Sequence, residues 1–207
     1  MAEELGKIER PAAETFKKGR KLCLVPLVYR GKDSPPDYLE IFDRYWSQVK
    51  SQLNELEAKL VPVSRLYHEM IYAGGEEGNK MLKELNEASQ QIVDRKIKQG
   101  AQLEAAEKEE LLVEFLDWNR CLALGLQSQD VFLKVYESYS DARRKRNEYI
   151  VQRLSETLKL DEMGILFMAE DHQLQFPADI EVFYVSPPAL DEIKRWFRDR
   201  EAKPQES

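Results

Sequence analysis

Cysteine is scarce in this chain. Only Cys23 and Cys121 occur in 207 residues, each inside an apolar stretch and neither in a C-x-x-C pair, which excludes a disulfide framework and a thiolate zinc site. Histidine is equally rare, with His68 and His172 alone. His68-Glu69 opens like the helix motif of a zinc protease, but Tyr72 stands where the second histidine must be. No metal and no cofactor is therefore expected. Long apolar runs are missing too: residues 22–29 and 163–169 fall far short of the ~20 residues of a membrane span. The first seven residues are charged and lack the apolar centre of a secretory signal. These absences give the expectation of a cytoplasmic protein away from membranes. Glycine and proline number nine each, too few for a collagenous or low-complexity chain, and no period repeats. Basic charge is in deficit, at a net −7, so a general nucleic-acid surface is not expected.

What the chain does have is apolar periodicity. Residues 21–29 form a short run of strand formers closed by Arg30-Gly31-Lys32-Asp33-Ser34-Pro35-Pro36, which reads as a strand and a loop. Pro26 within it cannot donate to a ladder, which predicts a sheet edge or a bulge. From 37 to 160 the spacing is helical throughout. Five helices are expected: Tyr38 to Leu60, Val63 to Ala73, Asn79 to Lys98, Leu111 to Leu126, and Ser128 towards Lys159. Residues 165–168 and 182–185 are continuous apolar runs, the pattern of strands covered on both faces. A last helix over 189–200 carries acids in its first turn and arginines in its last, matching the helix dipole.

The economical assembly is a helix-dominated α/β fold. The early strand lies beside the two late ones in a small three-stranded sheet, discontinuous in sequence, with the five helices as a large insertion. The expected units are an N-terminal tail (1–19), a small α/β unit (20–36 with 161–200), a helical bundle or arm (37–160) and a C-terminal tail (201–207).

Chemistry is thin by comparison. Glu170-Asp171-His172 follows a buried strand, where ligand sites of α/β sheets collect, and a carboxylate beside an imidazole can act as acid and base. Arg30 and Lys32, after the early strand, would supply an anion clamp if the strands are neighbours. Arg143, Arg144, Lys145 and Arg146 occupy four successive helical positions, so their charges spread around the rod. The acidic stretch Glu104, Glu107, Glu109, Glu110 and Glu114 is their natural counterpart if two helices pack antiparallel. Residues 73–79 resemble a phosphate loop in glycine content only. They lack Gly-Lys-Ser/Thr, carry Glu76 and Glu77, and are expected to join two helices. Trp118, off the apolar stripe, is the candidate exposed anchor for a partner.

Abundant packing surface and sparse chemistry make an interaction or regulatory protein the leading expectation, binding a protein partner or forming a homo-oligomer through its helices. The alternatives are a phosphate-directed hydrolase built on Glu170, Asp171, His172 and Arg30, and nucleic-acid binding through residues 143–146.

Overall fold

The computed structural model describes residues 18–201. The two expected tails lie almost wholly outside that range. Among the described residues the chain forms six helices and a five-stranded, all-parallel sheet of order β3-β2-β4-β1-β5. The strands are β1 (Arg20–Pro26), β2 (Val63–His68), β3 (Gln102–Leu103), β4 (Met163–Met168) and β5 (Ile180–Tyr184). The helices are α1 (Pro36–Lys59), α2 (Gly75–Leu85), α3 (Glu87–Lys98), α4 (Glu109–Ala123), α5 (Gln129–Thr157) and α6 (Pro188–Glu201).

The α/β class and the meeting of early and late strands are as expected. Leu24 is in register with Leu166 on one side and Tyr184 on the other. The strand count is corrected from three to five. Residues 37–160 are not an insertion of helices alone, since they contribute β2 and β3 to the sheet. The spacing that suggested a helix over 63–73 comes from a bulge. Register slips between Val63 and Arg65, so Val63 and Leu66 turn to the same face at a separation of three. β3 is two residues long and leaves no period to read. The helix expected over 79–98 is broken at Asn86, whose extended backbone and side-chain acceptor for the Ser89 N–H (3.1 Å) start a second helix. Pro26, expected at an edge, ends a central strand. It lies past Leu24, the last β1 residue that pairs with β5, so its missing N–H breaks no ladder on that side.

Alternation along the strands splits the core into two layers. Cys23, Val25, Ile165 and Phe167 face α1, α3 and α6, while Leu22, Leu24, Leu166 and Met168 face α5 and the β4–β5 connection, residues 169–179. Gly164 leaves room on the second face for the ring of Tyr67, 3.1 Å from where a Cβ would stand. The 29 residues of α5 reach ~43 Å at helical rise. Ile150 and Leu154 lie on the sheet, whereas no residue of α5 before Ala142 is buried, and that half pairs with α4 as a two-helix arm. No described helix is long and apolar enough to cross a membrane.

Candidate functional site

Because all strands run the same way, their carboxyl ends share one edge of the sheet. Chain leaving β1, β2 and β5 turns onto the face of α1 and α6, but the connection after β4 turns onto the α5 face, where Leu174 and Phe176 pack. The end of β4 is therefore flanked on both sides by chain leaving the other way, and such divergence opens a crevice over a rigid base.

In the crevice between β2 and β4 sits a buried ion cluster. Glu69, directly after β2, accepts from Arg146 Nη2 (2.9 Å) and from the Ala169 N–H after β4 (2.8 Å). Glu107, in the turn before α4, takes Arg146 Nε on both oxygens (3.0 Å each) and the N–H of Met70 (3.2 Å). Met70 has a left-handed φ of 70°, so the Glu107 carboxylate also holds a turn that an L-residue seldom adopts. The Arg146 guanidinium lies over the Phe115 ring at 4.7 Å. Burial opposes its charge, and Glu107 and Glu69 more than offset that, so its proton is held more tightly than in water. The cluster is closed: two carboxylates on one cation clasp β2, β4, the β3–α4 turn and α5. Tyr29, after β1, lies close enough that burial first and then the Glu69 charge keep its phenol protonated. His68, at the end of β2, is buried against Phe167 and hydrogen-bonded to the Glu69 carbonyl and Ser89 Oγ (3.1 Å). Burial lowers its pKa to about 4, against the pull of that carbonyl, so it is a neutral core histidine.

The expected residues fall as follows. His172 and Glu170 line one cavity of about 300 Å³ over the ends of β1, β4 and β5. His172 Nδ1 accepts the Leu174 N–H (2.8 Å), which puts the proton of the neutral ring on Nε2. Its pKa is lowered by burial and by Arg143, with Glu69 and Asp171 opposing. Glu170 pairs with Lys194 (2.5 Å), and Asp171 is exposed. Arg30 is elsewhere, lining another cavity with Trp46 and Glu87, to which it is paired at 3.1 Å. Lys32 is exposed on the loop before α1. Of the basic cluster, Arg146 is consumed by the clasp. Arg144 pairs with Asp141 (2.6 Å) and Glu148 (2.9 Å), and Lys145 with Asp141 (2.7 Å). Arg143 donates to the Asp171 carbonyl. Trp118 is half-buried on α4.

Sequence reasoning missed Glu69 and Asn147, whereas Glu107 stood in the acidic stretch expected to face residues 143–146 and does pair with Arg146. The local sign of Glu69 was a carboxylate directly behind the buried run Leu66-Tyr67-His68. The 73–79 loop proves to join strand β2 to α2 rather than two helices. Among the described residues no group of three His, Cys, Asp or Glu side chains is placed to hold a metal ion. Compared with family models, with curated proteins and with solved structures, the chain matches none of them.

The second unusual surface is the arm. Val131, Phe132 and Leu133 occupy consecutive positions of α5 and are each more than 40% exposed, as are Tyr136 one turn later, Val113 on α4 and Leu124 at its C-terminal cap. Three successive helical positions span ~200° of azimuth, more than one neighbouring helix can cover.

Proposed function

We propose that this protein is an interaction protein, and that the α4–α5 arm is its docking element, pairing with the same arm of a second copy. The observation that carries the reading is the apolar collar of Val131, Phe132, Leu133 and Tyr136 on a helix whose main packing partner among the described elements is α4. Patches of several hundred Å² are uncommon on proteins that work alone. Half-buried Leu122, Leu126 and Val135 add to these side chains, and an apolar centre within a polar rim is the anatomy of a standard interface. A second copy brings the same two helices, and two hairpins stacked about a two-fold axis make a four-helix layer that covers the collar.

Sedimentation velocity tests the reading. The expected species has twice the 24.2 kDa chain mass, and the double substitution Phe132→Glu, Leu133→Lys returns it to one chain mass with unchanged circular dichroism. A wild-type chain that stays monomeric throughout the micromolar range overturns it.

The other two readings draw less support. A hydrolase using Glu170, Asp171 and His172 lacks its clamp, since Arg30 lines a different cavity and Glu170 is held by Lys194. Nucleic-acid binding through residues 143–146 has three of its four cations paired with carboxylates.

A further inference from the structure

Where α5 leaves the sheet, one side of the helix and the β4–β5 connection enclose a groove of about 630 Å³, within the range of small-molecule sites. Its walls include Tyr136, Tyr139, Arg143 and Asn147 from successive turns of α5, and Gln173 and Gln175 from the connection. Two of these groups have bonding capacity left over. Asn147 donates from Nδ2 to the His172 carbonyl (2.8 Å), but its Oδ1 is buried and meets no donor among the described residues. A buried acceptor without a donor is costly, and each such atom calls for a partner. Arg143 spends one N–H on the Asp171 carbonyl and, among the described residues, pairs with no carboxylate. Its neighbour Arg144, also in the groove, has its charge met inside α5 by Asp141 and Glu148. Gln173 holds a left-handed φ of 55°, a strained conformation that brings an amide side chain to the groove wall.

These groups define a ligand. One unmatched guanidinium suits one negative charge, and its planar fork fits a carboxylate, whereas a phosphate dianion would bring a second charge with no cation left for it. The orphaned Oδ1 asks for an N–H or O–H on the same molecule. Tyr136 and Tyr139, one turn apart, offer ring faces to an apolar or aromatic body. We propose that this groove binds a small carboxylate that carries its own N–H or O–H donor next to an apolar body, as an N-acylated aromatic amino acid does. The site is separate from the Glu69–Arg146–Glu107 clasp and shares only Tyr136 with the exposed collar of the arm.

The test is a titration of nitrogen-15-labelled protein with N-acetyl-L-tyrosine, its methyl ester and inorganic phosphate. The free acid is expected to give saturable amide shifts confined to residues 136–151 and 173–175. The ester, Arg143→Gln and Asn147→Asp should each weaken binding by about tenfold or more, because each removes or opposes one charge-assisted contact. Arg143→Gln leaves the clasp intact and should melt like the wild type, which separates binding from folding. No saturable shift with the free acid overturns the proposal, as does equal affinity for the ester or full retention in Arg143→Gln. Tighter binding of phosphate than of the acid overturns the choice of carboxylate.

Discussion

At the scale of single residues, charge burial decides most. Arg146 and Glu107 are almost fully buried, and their mutual contacts offset a large desolvation cost. Arg146→Met removes the one cation between two carboxylates, and a loss of about 3–5 kcal/mol is expected in urea unfolding. Adding Glu107→Leu to that variant should recover part of the loss, because it removes a stranded charge. Arg144→Ala, on the solvent side of the same helix, should leave the midpoint almost unchanged. His68 sets a pH dependence of definite sign. Its folded pKa of about 4 lies below the unfolded value near 6.5, so on acidification the unfolded chain takes up the proton first. Stability is complete above pH 6.5 and falls as the pH drops towards 4, by up to about 3 kcal/mol. Urea midpoints measured from pH 7 to 5 should decline in the wild type and stay nearly level in His68→Gln.

At the scale of elements, the turn between β2 and α2 is the least forgiving. A Cβ at Gly78 would stand 2.2 Å from the Ala73 carbonyl oxygen, a backbone atom that cannot swing away. Gly78→Ala is therefore expected to cost about 1–3 kcal/mol by thermal unfolding. The arm should open more readily than the rest. Hydrogen exchange in 113–138 is expected to outpace that in 142–157, because the latter segment carries the buried side chains of α5. The elements that sequence pattern revealed are those whose period is uninterrupted, namely α1, α4, α5 and α6 and the strands β1, β4 and β5, although β5, expected to be covered on both faces, is an edge strand with Tyr184 exposed. β2 was hidden because one bulged residue turned a two-residue period into a three-residue one, and Asn86 was hidden inside a pattern that runs through the break. The same holds for the sites. His172 was legible as a polar residue behind a buried strand. Of the clasp, the Glu107–Arg146 half followed from opposed charge patches on neighbouring helices, but Glu69 did not, because it joins them only through the β2–β4 pairing.

At the scale of the whole molecule, the two thiols report on different events. Cys23 lies fully buried in the middle of the sheet, and burial first, then the Glu57 charge, pushes its pKa up to about 12. Cys121 is half-buried on the arm. A thiol reagent should label Cys121 in the native protein and reach Cys23 only at the rate of global unfolding, which mass spectrometry of the labelled peptides can follow. The position of β1 also bears on how the protein is made. Its two ladder partners, β4 and β5, begin at Met163 and Ile180, so β1 is synthesised long before either of them. At ~5–20 residues per second that wait lasts from several seconds to about half a minute. During it the apolar segment Leu22–Val25 has no ladder to join, so the nascent chain must carry a sticky strand until those partners emerge.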